Sequence, residues 1–193
     1  MMRANGTRVL LTALLAAGAF AVTGCGAEGS AEKQPAADEA PKESTSASAS
    51  AEAPDRGGVP ASLRFAGTTL DGKPFKGKKL ADKPAVLWFW APWCGTCQGQ
   101  AAHTAKLAGK YKGKVNFVGV AGLDKTKPMR GFVSAQKVGN FPHLNDQKGS
   151  VWKKFGITQQ SSYVLLDKNG KTVHEGVPGS PAELDKLVTD LTG

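Results

Sequence analysis

The sequence predicts an α/β domain, a mixed β-sheet flanked by helices, preceded by a segment that cannot fold by itself. Three observations carry this reading. From Val59 onward, apolar runs of strand length alternate with stretches of helix formers, then give way to a hairpin pattern and a final helix. The first of the strand-like runs, Pro84-Ala85-Val86-Leu87-Trp88-Phe89-Trp90-Ala91, has the near-continuous apolar character of a strand buried on both faces, and two cysteines follow it directly. Composition also changes sharply at Gly58, before which no residue back to Gly26 is Leu, Ile, Phe, Met, Trp, Tyr or Val.

The N-terminal part divides in two. Arg3 and Arg8 precede an apolar run from Val9 to Val22, short for a membrane span and suited to a signal-peptide core, so the chain is read as exported. The run closes on Val22-Thr23-Gly24-Cys25, small residues before a cysteine, which resembles the lipobox at which bacterial lipoproteins are cleaved and acylated. That resemblance implies a signal peptide over residues 1–24, lipidation of Cys25 and anchoring on the extracytoplasmic face of the bacterial cell membrane. It accounts for an odd third cysteine, the alternative being a soluble secreted chain with a stray thiol. Residues 25–58, rich in Ala, Ser, Glu and Pro, bury too little apolar surface to offset chain entropy and read as a disordered tether.

Residues 59–193 are enough for one core. Leu63–Leu70 and Pro74-Phe75 flank Asp71-Gly72, a strong turn signal, and predict a β-hairpin. A strand follows from Ala85 to Ala91, then helix formers from Gln98 to Tyr111, then a second buried strand, Val115–Ala121. Pro128 to Val138 predicts a helix with Pro128 in its first turn, and Ser150–Phe155 a short helix. The chain finishes with a strand Tyr163–Asp167, an Asn169-Gly170 turn, a strand Thr172–Glu175, and a helix Pro181–Leu191 entered through Ser180 as N-cap. Phe89 and Trp90 are expected in the core, and His103 on the solvated face of its helix.

Chemistry concentrates at Cys94-Gly95-Thr96-Cys97. The pair places Cys94 at or just before a helix N-terminus, where unpaired N–H groups and the helix dipole stabilise a thiolate, so its thiol should titrate well below the ~8.5 of free cysteine. A structural zinc site wants four ligands, and the chain has three cysteines and three scattered histidines. A purely structural disulfide closing so short a loop would constrain little unfolded-chain entropy. Redox exchange is the better reading, with Cys94 forming a mixed disulfide and Cys97, one turn further in, resolving it.

Trp90-Ala91-Pro92-Trp93-Cys94-Gly95-Thr96-Cys97 after an apolar strand resembles the active site of thioredoxin-fold thiol-disulfide oxidoreductases. With Phe141–Asp146, Val151–Ile157 and Tyr163–Gly170, the chain is similar from Val59 to Leu191 to the extracytoplasmic TlpA/ResA/DsbE-like branch. The resemblance implies a thioredoxin fold with an N-terminal hairpin extension and disulfide exchange with exported protein substrates. No cofactor or metal is implied. A membrane redox partner would recycle the disulfide, and the domain would be a monomer. Trp93, Gly95 and Thr96 would flank the substrate. Gln160 would offer it backbone hydrogen bonds, and Ser161 stands where the family carries a cis-proline.

The chain departs from that family at four places. Trp88 stands where thioredoxins keep a buried aspartate, Gln100 where ResA-like reductants keep a glutamate, and Ala102 replaces a helix-kinking proline. Without carboxylates to raise the thiol pKa values, the reduced form should be stabilised and the disulfide more oxidising, so an oxidant is expected. Ser161 in place of proline leaves the Gln160–Ser161 peptide expected trans and the thiols less shielded from adventitious metals, which Ser161→Pro would reverse if the loop accepts it.

Two other functions compete: a reductant of apocytochrome c thiols, and a Sco-like copper chaperone using His143 or His174, each of which reads as a loop or surface histidine. The charge, −4 over the tether and +11 from Val59 onward, would suit nucleic acid, but export makes such a partner idle, and evenly spread lysines read as a solvated surface.

Overall fold

In the computed structural model the described residues are 58–193, and the expected signal peptide, Cys25 and the tether up to residue 57 lie outside them. Strands β1 (Ala66–Thr68) and β2 (Pro74–Lys76) lead to β3 (Ala85–Trp90), helix α1 (Gly95–Lys110) and β4 (Asn116–Ala121). Then come α2 (Thr126–Ala135), β5 (His143–Asn145), α3 (Ser150–Lys154), β6 (Ser162–Leu166), β7 (Thr172–Gly176) and α4 (Pro181–Asp190).

Five strands form the central sheet in the order β5-β4-β3-β6-β7. β3 is parallel to β4 and antiparallel to β6, while β4 and β5 are parallel and β6 and β7 antiparallel. The mixed sheet and flanking helices are those expected. The reason β3 occupies the centre is its composition. All six of its side chains are buried, Val86, Trp88 and Trp90 on one face and Ala85, Leu87 and Phe89 on the other, so only a strand with neighbours and cover on every side satisfies it. On the first face Trp88 and Trp90 pack with Phe132 of α2 and with the buried sides of α1 and α4. On the second, Phe89 meets Trp152 of α3 and Phe155 edge-on, and Leu63, Phe75 and Leu80 complete the layer. Each large apolar side chain so buried contributes roughly 1.5–3 kcal/mol.

The hairpin is present but shorter than expected. Only Ala66–Thr68 and Pro74–Lys76 pair, because Leu63 belongs to a 3-10 turn, Ala61–Leu63, and a second such turn runs from Gly77 to Leu80. Asp71-Gly72 turns the chain with Gly72 at φ +87°. The hairpin end docks on the sheet edge, Leu70 N–H donating to the His143 carbonyl at 2.8 Å and Thr69 bridging Leu144. β5 had no strand signal of its own. At three residues it is too short for one, and pairing with β4 and the hairpin holds it.

α2 begins two residues before the expected start and ends three before the expected end, where Lys137 adopts φ +55°. α4 starts as expected: Ser180 Oγ accepts from Glu183 N–H at 3.1 Å with Pro181 in the first turn. The Asn169-Gly170 turn is held by Asp167 Oδ1, which accepts from the N–H groups of Asn169 and Lys171 at 2.8 and 2.9 Å.

Candidate active site

β3 delivers the cysteine pair to the sheet edge. Past Trp90 the chain turns through Ala91, Pro92 and Trp93, tied by hydrogen bonds from Cys94 N–H to the Ala91 carbonyl (3.2 Å) and from Gly122 N–H to the Trp90 carbonyl (3.0 Å). Cys94 is the N-cap residue of α1, in extended backbone geometry, and its Sγ accepts from Cys97 N–H at 3.0 Å. The sulfur thus takes the place of the oxygen that usually caps a helix, where free N–H groups favour negative charge. Cys94 and Cys97 are joined in a disulfide with Cα atoms 5.2 Å apart. Both are buried, Cys94 at 4% exposure and Cys97 at 0%.

The other wall of the site is the loop before β6. Ser161 is buried, at φ +71°, and its peptide bond is trans, as expected. Its N–H donates to the Phe89 carbonyl at 2.8 Å, and its Oγ lies 3.2 Å from Cys94 Sγ and 3.4 Å from Cys97 Sγ. Its carbonyl accepts from Gln100 Nε2 at 3.0 Å, while Gln100 Oε1 accepts from Trp88 Nε1 at 2.9 Å. The two positions where the resemblance leads one to expect carboxylates therefore touch each other, and one of them holds the serine loop. Sequence reading identified Gln100 only as a missing glutamate. Its link to Ser161 spans sixty-one positions and leaves no local signal.

This geometry corrects the expectation attached to Ser161→Pro. Proline has no N–H for the Phe89 carbonyl and fixes φ near −65°, so the loop as built does not accept it.

Around the disulfide the expected substrate-contacting residues take different places. Trp93 is 55% exposed and its indole N–H donates to the Leu123 carbonyl at 3.2 Å, Leu123 being exposed itself. Gly95 and Thr96 are exposed, whereas Gln160 is half-buried beside Ser161. A cavity of about 300 Å³ opens next to Thr96 and Gln100, with Tyr163 and Leu184 among its walls. Burial pushes the Tyr163 phenol well above its usual pKa, and its OH pairs with Thr104 Oγ at 2.6 Å, so it is neutral there.

The histidines differ from expectation. His103 is not solvated. It packs toward α4 with Nε2 3.3 Å from Asp185 Oδ1 and its side chain 21% exposed. His143 is no surface residue: its Nδ1 accepts from Trp90 Nε1 at 3.1 Å, its Nε2 donates to the Val138 carbonyl at 2.9 Å, and burial lowers its pKa to about 4. With both ring nitrogens engaged it is not free to ligate copper. His174 lies on β7, in register with Leu165 of β6.

Comparison with known proteins agrees with this geometry. The redoxin family model matches residues 35–191. The soluble secreted antigen MPT53 of Mycobacterium tuberculosis is 37% identical over 125 residues, 65% of this chain and 71% of that one. The thiol-disulfide oxidoreductase ResA of Bacillus thuringiensis is 30% identical over 112 residues, 58% of this chain and 64% of that one. The structure of MTB dsbF, in mixed oxidized and reduced forms, superposes with a TM-score of 0.67 at 48% identity, covering 70% of this chain and all of that one.

Proposed function

The chain belongs to the redoxin family as a thioredoxin-fold thiol-disulfide oxidoreductase with a C-x-x-C pair, and we propose that it acts outside the cytoplasm as an oxidant of exported protein substrates. The observation that carries the direction is the uncharged pair Trp88–Gln100 beside the disulfide. A carboxylate at either position would disfavour a nearby thiolate by like-charge repulsion. An indole and an amide do not, so the reduced form is stabilised and the disulfide becomes the stronger oxidant.

In this reading a substrate thiolate attacks Cys94 Sγ, the Cys94–Cys97 bond breaks, and Cys97 leaves as a thiolate. Trp93, Gly95 and Thr96 line the approach, and the backbone of Gln160 meets the substrate chain while Ser161, its own N–H and carbonyl engaged by Phe89 and Gln100, presents its hydroxyl at the disulfide. Each turnover leaves the dithiol, which a membrane redox partner reoxidises. The test is the Cys94–Cys97 reduction potential in glutathione buffers. A value near the ~−120 mV of strong oxidants is expected, and one at or below ~−270 mV would assign the reductant role instead.

Location follows from the sequence of the first 58 residues. Residues 1–24 direct export, Cys25 carries the lipid, and residues 25–58 space the domain, residues 59–193, from the membrane. Cys25→Ser should release the protein from the membrane with its exchange activity intact in solution; unchanged membrane retention would remove the anchor from the proposal.

A further inference from the structure

Ser161 is the residue whose surroundings the exchange reaction leaves unexplained. Its hydroxyl is buried, and among the described residues the only partners of Oγ are the two disulfide sulfurs, at 3.2 and 3.4 Å. Disulfide sulfur is a poor acceptor, and a buried donor without a good acceptor is destabilising. The backbone is also in the left-handed region, sparsely populated by non-glycine residues and costly to hold. Such strain persists only where the surroundings enforce it. Here they do so from three sides: the Phe89 carbonyl takes the N–H, Gln100 Nε2 holds the carbonyl, and Trp88 Nε1 orients the Gln100 amide. A poorly satisfied donor held rigidly against a bond that breaks is arranged for what the bond becomes.

We propose that the Ser161 hydroxyl is a catalytic group of the exchange reaction, donating a hydrogen bond to whichever active-site sulfur leaves as a thiolate, with Gln100 and Trp88 as the residues that position it. In the first step a substrate thiolate attacks Cys94 Sγ. A new S–S bond forms, the Cys94–Cys97 bond breaks, and its electron pair leaves on Cys97 Sγ, which Ser161 Oγ–H meets. In the second step the other substrate thiolate attacks the substrate sulfur of the mixed disulfide, and the electron pair leaves on Cys94 Sγ. That sulfur has both the Ser161 hydroxyl and the Cys97 N–H as donors. The substrate dithiol loses two protons and two electrons, the enzyme disulfide gains them, and the serine keeps its proton throughout. Its interaction is strong only once charge develops, which is the condition for lowering a barrier rather than binding the ground state.

The role holds for either direction of electron flow, since both run through the same thiolates. Ionisable side chains of the adjoining elements do not supply this charge stabilisation: Tyr163 is neutral against Thr104, His143 is engaged by Trp90 and Val138, and His103, beside Gln100 in the cavity wall, faces Asp185.

The test compares Ser161→Gly with the parent, both in full-length protein carrying Cys25→Ser so that the third thiol is silent. Glycine accepts φ +71° at no steric cost but removes the whole CH2OH group, whereas alanine removes the hydroxyl and keeps Cβ. Two readouts matter: the pH dependence of Cys94 alkylation, followed on its own peptide, and the redox equilibrium with glutathione. The thiolate-to-thiol ratio of Cys94 should fall about tenfold at fixed pH, one pKa unit. The redox equilibrium should move about tenfold toward the disulfide, about 30 mV. Ser161→Ala, a second variant without the hydroxyl, should give the same shifts. Gln100→Ala should shift both readouts in the same direction by less, and add nothing in the Ser161→Gly background.

Both readouts within twofold of the parent in Ser161→Gly and Ser161→Ala would overturn the hydroxyl's role, and a full additive effect of Gln100→Ala would overturn the positioning role. The absolute potential of the parent judges the oxidant reading separately from these differences.

Discussion

Replacing Ser161 by the proline that the family resemblance led one to expect should damage this protein. The Ser161 N–H is bonded to the Phe89 carbonyl at 2.8 Å, and Phe89 is fully buried, so removing the donor strands an acceptor away from water at about 1–3 kcal/mol. Proline also demands φ near −65° where the loop has +71°, and the rotation carries the carbonyl away from Gln100 Nε2, losing about another 1 kcal/mol. The total is about 2–4 kcal/mol before any ring clash. For a domain of this size about 1 kcal/mol moves Tm by roughly 4 °C, so a fall of roughly 8–16 °C is expected. Thermal unfolding of the oxidised protein, followed by circular dichroism, reads it directly. A Ser161→Pro variant melting within a couple of degrees of wild type would refute the reasoning, because the loop would then tolerate a geometry in which neither bond exists.

Further expectations concern the thiols, a buried histidine and a helix cap. Cys97→Ser should accumulate mixed disulfides through Cys94 and Cys94→Ser should abolish exchange, and in the reduced wild type Cys94 should be alkylated ahead of Cys97 near pH ~6; equal labelling counts against the assignment. His143 is held neutral by burial, its pKa lowered from 6.5 to about 4, so the unfolded chain binds the extra proton first. The stabilisation is therefore full above pH 6.5 and lost as pH falls toward 4, by about 3 kcal/mol in all. Urea unfolding between pH 7 and 5 should show this slope, and His143→Gln should flatten it. The Asp146 carboxylate accepts from the N–H groups of Ser150, Val151 and Trp152 and from Ser150 Oγ, each at 2.9 Å, fixing α3 against the core. Asp146→Ala should cost about 2–4 kcal/mol in denaturant unfolding and Asp146→Asn less, and equal losses would show that hydrogen bonding to the charge is not the cause.

The sequence by itself determined the parts whose causes are local. The six apolar residues of β3 can be satisfied only at the centre of a sheet. A cysteine between that strand and a run of helix formers becomes a helix N-cap, and Ser180-Pro181 or Asn169-Gly170 shape the chain through their own backbone chemistry. Family, fold and the cysteine pair were legible for that reason. What only the tertiary structure decided lies between residues far apart in the chain. β5 exists because β4 and the hairpin end pair with it, and His143 is buried because Trp90 and Val138 take both its nitrogens. Trp88, Gln100 and Ser161 looked like three separate losses from a family pattern. Folding joins them, because β3 and α1 run back to back beneath the loop before β6, and one indole, one amide and one hydroxyl fill the space where carboxylates and a proline ring were expected. A one-dimensional pattern records which residue is missing at a position, whereas the contact that replaces it is made by side chains that only packing brings within 3 Å or so of one another.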